Sequence, residues 1–251
     1  MSKIVSAFVA FLTASSAYAS GWVEISPDTR TGVTRVTISS RVILPSETSN
    51  VGMARAQADL NYQLNKTFLY PNDRAPRFKV RFAVTAIRES EAGAPQPADN
   101  QIAVISGQRS HATLNAIHIR NHNRETDCAE VLIQPSDHAS IAPSDLDESL
   151  GSNTLAHETL HLFGIDDRYH DLHLNSAEMP IISVTDEGFD FDIMGSQYGL
   201  SNLLHIRSFV DLATRMKASG KSSGLIDELV NFDVCNFSKK DLLVAAERQP
   251  N

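Results

Sequence analysis

The chain has 251 residues, 42% hydrophobic and 21% charged, which is enough to bury one substantial core and too balanced for wholesale disorder. Its 30 acidic side chains against 22 basic ones leave a net charge of −8, and no run of five or more Lys/Arg is present to track a phosphate backbone. Nucleic acid is therefore excluded as an expected partner.

The opening segment MSKIVSAFVAFLTASSAYAS has a basic start at Lys3, an apolar run from Ile4 to about Leu12 and a small-x-small site at Ala17-Tyr18-Ala19. This predicts a cleaved signal peptide over residues 1–19 and a single mature domain over 20–251, secreted or periplasmic. An uncleaved anchor needs about 20 continuous apolar residues. Here the run breaks at Thr13, Ser15 and Ser16, so no stable membrane insertion is expected after cleavage. In an oxidising compartment Cys128 and Cys235, the only cysteines, are expected to form one disulfide, with two buried free thiols as the alternative.

Along the mature chain, the β-branched stretch Gly32–Leu44 predicts a strand, followed by turn and cap residues in PSETSN. Ala54, Ala58, Leu60, Leu64 and Phe68 recur at helical spacing and predict a helix from about Val51 to Phe68. Alternation of Phe78, Val80, Phe82 and Val84 predicts a strand over Arg77–Ile87, and Pro and Gly make Glu89–Asn100 a loop. Short strands are expected at Ile102–Ile105, Leu114–Ile119 and Ala129–Ile133, then a polar connection over Pro135–Asp145. The order β, α, β, β, β, β, α favours a mixed α/β (α+β) layer structure in one domain.

The next helix, expected from about Asp147 to Phe163 with Gly164 at its left-handed cap, carries TLAHETLH. His157 and His161 lie about 40° apart in azimuth and one turn apart in height, so both imidazoles reach one ion. Glu158 stands beside them, placed to touch a water rather than to join the coordination. This is the HExxH arrangement of two zinc ligands and a general base. Catalytic zinc takes a third protein ligand, and a sharp turn at Gly164 would deliver Asp167. Asp166, His170, His173 and Glu178 compete for that place. Leu155, Ala156, Leu160, Leu162 and Phe163 flank the polar stripe with apolar residues, so the stripe must face a cleft in a buried helix.

The pattern His157-Glu158-x-x-His161-x-x-Gly164-x-x-Asp167 resembles the metzincin clan of zinc peptidases, whose extended motif has this glycine and a third ligand at this position. Most metzincins carry histidine there, and Asp167 is similar to the variant of snapalysin-type bacterial peptidases. FDIMGSQY adds Met194, which looks like the methionine of the clan's Met-turn, a tight turn under the metal site. GIDDRYHD followed by DIMG also resembles metallopeptidase domains of bacterial toxins.

The resemblance covers chiefly Leu155–Tyr198. It implies a metzincin-like fold, a twisted mixed sheet packed on helices with an active-site helix and a Met-turn. It implies zinc as cofactor and a protein or peptide substrate bound extended against an edge strand, for which Leu114–Ile119 and Ala129–Ile133 are the candidates. Tyr169 and Tyr198 are candidate oxyanion stabilisers. His111, His118, His122, His138 and His205 show no paired spacing and are read as ordinary histidines. The expected activity is a secreted zinc endopeptidase. The alternatives are a zinc hydrolase of a non-peptide amide, or a toxin-like binding module that keeps the zinc scaffold without turnover.

Overall fold

The computed structural model describes residues 21–70, 77–104, 111–112, 116–123, 128–134, 139–143, 146, 153–165, 167–172, 182–185, 189–195, 203–226 and 230–233. The expected signal peptide lies outside them. In chain order, strand β1 (Trp22–Pro27) turns into β2 (Thr34–Leu44), then helix α1 (Asn50–Gln63), the short β3 (Thr67–Tyr70) and β4 (Phe78–Arg88). A 3-10 turn at Glu89–Glu91 precedes β5 (Asp99–Val104), β6 (His111–Ala112), β7 (Ala116–Asn123), β8 (Cys128–Gln134) and β9 (Ala139–Ile141). Helix α2 (Thr154–Leu162) leads to β10 (Tyr169–Leu172), β11 (Ile182–Thr185), helix α3 (Leu203–Ala218), β12 (Ser223–Leu225) and β13 (Val230–Asp233).

Strand β2 is the spine. Val36, Ile38, Ser40, Val42 and Leu44 point inward while Arg35, Thr37, Ser39 and Arg41 point out, the period-2 pattern of a strand with one buried face. It runs parallel to β4 over its whole length, antiparallel to β1 in its first half and parallel to β5 near its end. β9 continues the sheet parallel to β5, and β6 closes that side antiparallel to β9. With β3 on β4 and β12 on β1 this is a mixed eight-stranded sheet. A three-stranded sheet β13-β8-β7 and the hairpin β10-β11 stand beside it.

The core forms where helices meet the inner face. Phe82 of β4 sits at its middle, edge-on to Phe68 (ring centroids 6.0 Å) and Phe209 (5.3 Å) and stacked on Phe163 (6.1 Å). These contacts join β3, α3 and the C-terminal end of α2 to the sheet, each aromatic pair adding about 0.5–1.5 kcal/mol beyond area burial. Helix α1 is clamped differently. β3 covers β4 only as far as Arg81, and beyond it side-chain amides replace a strand. Val84 N–H donates to Asn65 Oδ1 and its carbonyl accepts from Asn65 Nδ2, both at 2.7 Å, while Ala86 N–H donates to Gln57 Oε1 at 2.9 Å. An open sheet edge is thus closed, and α1 becomes a fixed platform.

The sequence expectations need four local corrections, of which one is that the described part of the ligand helix, expected from about Asp147, starts at Thr154 behind a non-helical Asn153. The first helix ends at Gln63 rather than Phe68: Leu64 and Asn65 N–H both turn back to the Leu60 carbonyl, and Phe68 enters β3. The loop expected over Glu89–Asn100 stops short, because Asp99 and Asn100 already pair with Arg41 and Val42. The connection read as polar, Pro135–Asp145, contains β9. Its Ala139, Ser140 and Ile141 are all buried between β5 and β6, a strand too short to show a period.

Cys128 opens β8, and Cys235 lies outside the described residues. The expected bridge closes a loop of about a hundred residues and, on the chain-entropy account, is worth up to about 4–5 kcal/mol. Reduction is therefore expected to lower the melting temperature without releasing metal. Two titratable thiols in the unfolded, unreduced chain would refute the bridge.

Candidate metal centre

Helix α2 is apolar on both flanks and buried from Leu155 to Leu162, so the polar groups there are withdrawn from bulk water. Two partners settle the histidine tautomers. His157 Nδ1 donates to the Ile193 carbonyl and His161 Nδ1 to the Ile165 carbonyl, each at 2.7 Å. A carbonyl only accepts, so Nδ1 carries a proton and Nε2 of each ring points the other way. Both Nε2 atoms face Asp167. His157 Nε2 and His161 Nε2 are 3.2 Å apart, and Asp167 Oδ1 lies 3.1 Å from the first and 3.3 Å from the second.

The turn that brings Asp167 back is built from backbone. Gly164 has φ +86°; its N–H donates to the His161 carbonyl (2.8 Å), and Ile165 N–H donates to the Leu160 carbonyl (3.0 Å). This is a Schellman cap, and a residue with a Cβ would meet about 1–2 kcal/mol of strain at that φ. The reversal also aims the Ile165 carbonyl at the His161 ring.

Three acceptor atoms this close repel one another unless positive charge lies among them. Burial disfavours an imidazolium at His161, but the Asp167 carboxylate and the nearby Glu158 overcome it and raise the ring to about 9. Burial likewise works against the Asp167 carboxylate, yet the two imidazoles hold it well below the usual carboxylate range. A proton on His161 meets that need, and the same three donor atoms are close enough that they could hold a metal ion instead. For zinc–nitrogen bonds of about 2.0–2.1 Å, neighbouring donors of a tetrahedron stand about 3.3 Å apart. Among the described residues, His157, His161 and Asp167 form the group of ligand atoms close enough to hold a metal ion, and Glu158 is not in it. A third of the Asp167 side chain reaches solvent, against 4% for His161, so the centre opens on the aspartate side.

A second segment closes over the site. Met194 and Ile193 are fully buried in the core cluster, while their carbonyls work at the centre: Ile193 orients His157, and the Met194 carbonyl accepts from Arg168 N–H at 2.8 Å, next to Asp167. The turn is held by Met194 N–H on Asp192 Oδ1 (2.8 Å) and by Thr185 Oγ1 donating to the Gly195 carbonyl (2.9 Å). A Cβ at Gly195 would collide with the Phe189 carbonyl, so the turn requires glycine there. The Tyr169 ring stacks against His157 with centroids 6.3 Å apart.

His157, His161 and Asp167 are thus brought together, Glu158 is buried beside them, and Met194 lies in the turn that orients His157. Tyr198, Asp166, His173 and Glu178 fall outside the described residues, as does the side chain of His170. Of the two edge-strand candidates, Ala129–Ile133 lies in β8, whose Glu130–Ile133 is paired on both sides and so offers no open edge. Leu114–Ile119 overlaps β7, at the outside of the small sheet. The strands packed on α2 are instead β9 and β6, with β6 last in the main sheet.

Sequence reasoning missed the carbonyls of Ile165 and Ile193, since backbone acceptors leave no residue-type signal. It also missed Asp59, whose carboxylate accepts from Ala156 N–H at the start of α2. The chain matches no protein-family model, no curated protein and no solved structure.

Proposed function

We propose that this protein is a secreted or periplasmic zinc endopeptidase of metzincin type. The observation that carries the reading is the trio of donor atoms at 3.1–3.3 Å, each imidazole tied through Nδ1 to a backbone carbonyl. The glycine-turned Asp167 and the Met194-Gly195 turn support the clan, and the expected signal peptide supports export. No described helix is long and apolar enough to cross a membrane.

His157, His161 and Asp167 would hold the zinc. When bound, the ion supplies the positive centre that acidifies water and polarises a scissile carbonyl. Glu158, buried against the site, accepts a proton from the attacking water and passes it to the leaving nitrogen. Nδ1 tethering fixes both rings with Nε2 turned toward the ion while this happens. The extended substrate would lie beside β6, the terminal strand next to the ligand helix.

Metal analysis of chain never exposed to chelator is expected to give close to one zinc per molecule. A denatured protein substrate should be cut, and chelator should stop the cutting. Zinc without peptide hydrolysis would favour the non-peptide amide hydrolase or the inert binding module. Absence of any transition metal at stoichiometric level would sink the centre itself.

A further inference from the structure

The ligand helix does not cap itself. Asn153, at its N-cap position, has φ 10° and ψ 14° instead of the usual extended conformation, and its side chain makes no capping bond. The first bond within the helix is His157 N–H to the Asn153 carbonyl at 2.9 Å, which leaves the N–H groups of Leu155 and Ala156 without an intrahelical acceptor. Both are met from another element. Asp59 of α1, 97 positions earlier, accepts from Ala156 N–H through Oδ2 at 3.0 Å and from Leu155 N–H as well.

Resting on the metal-centre reading, we propose that Asp59 is a positioning residue of the site, holding the first turn of α2 and so setting where His157 stands. Its two bonds fall on the two residues immediately before the first ligand. Side chains on a helix lean toward the N-terminus, so the His157 ring lies along the turn that Asp59 grips. His161 is placed independently, by the Schellman cap and the Ile165 carbonyl. The grip has a rigid base, because Gln57 and Asn65 bolt α1 to β4 on either side of Asp59 and Leu60 is fully buried. A carboxylate also suits the positive end of the helix dipole. Burial pushes the Asp59 carboxyl up to about 6, the two N–H bonds working against that rise. Folding alone gains little from a charge in such a place. Orientation of the ligand helix is what the acceptor oxygen secures.

The test measures zinc affinity by chelator competition on the full mature chain, alongside the absorption spectrum of the cobalt(II)-loaded form. Asp59→Ala is expected to weaken zinc by about 10- to 100-fold, the range for partners that orient ligands, and to alter the cobalt spectrum. Asp59→Asn keeps an acceptor oxygen of the same length and should stay within about threefold of wild type, as Asn and Asp cap about equally well. A merely structural aspartate would lower the melting temperature of the metal-free chain and leave the affinity of the folded protein untouched. Should the alanine variant not fold, Asp59→Glu carries the test, because its acceptor is displaced by one methylene and affinity must fall. Wild-type affinity in Asp59→Ala or Asp59→Glu, or an asparagine variant as weak as alanine, overturns the proposal alone. A wild-type chain that takes up no zinc overturns the metal-centre reading and this proposal with it.

Discussion

If the proposed zinc centre holds, Glu158→Gln is expected to keep the metal and to lose hydrolysis by about 10²- to 10⁴-fold, the contribution of a general base. The substitution preserves size and hydrogen-bonding reach and removes only the ability to take a proton. Glu158 is 2% exposed and stands outside the group of atoms that can share a metal, so its loss should leave the coordination whole. The nearby Glu158 also helps raise the His161 ring above its ordinary value. Two measurements on one preparation decide the matter, the metal content and the rate of cleavage of a protein substrate. Loss of zinc together with activity would make Glu158 a ligand and sink the proposed mechanism. Full activity would show that another group serves the water.

Asp167→Ala will cost the centre its third donor. Outer partners of metal ligands typically matter 10- to 100-fold, so removal of a ligand is expected to weaken zinc by more than about 100-fold. Two imidazoles would remain, each still tied by Nδ1 to a carbonyl, but the charge that neutralises the ion would be gone. His170→Ala is the comparison, since that residue follows closely in the chain and was a competitor for the same role. It should leave zinc affinity near that of wild type. Chelator competition on both variants gives the ranking, and the reverse order would move the third ligand to His170.

Several features of this protein are written locally. The i, i+4 spacing of His157 and His161 is a property of any helix, and apolar residues on both flanks require that helix to be buried. Gly164 announces its own turn, because a positive φ is cheap for glycine alone, and three residues later the chain has come back to the ligands. Long alternating strands are equally plain, as with Val36, Ile38 and Val42 in β2 or Val80, Phe82 and Val84 in β4. A mixed α/β architecture follows from their order.

What tertiary structure decided is everything that depends on a partner far away in the chain. Phe68 matches a helical period, yet its strand is chosen by pairing with β4 and by the Phe82 ring. Ala139–Ile141 is a strand only because β5 and β6 stand on either side of it. The site divides along the same line. Residue types and spacing named His157, Glu158, His161 and Asp167, but the Ile193 carbonyl that fixes one imidazole lies 36 positions away, and the Asp59 carboxylate that starts the helix lies 97 away. Ligand identity is a matter of side-chain chemistry, which a sequence displays directly. Ligand orientation is set by hydrogen bonds to backbone and to remote side chains, and those acceptors come within reach only once the sheet, the two helices and the Met194 turn have packed around a single core.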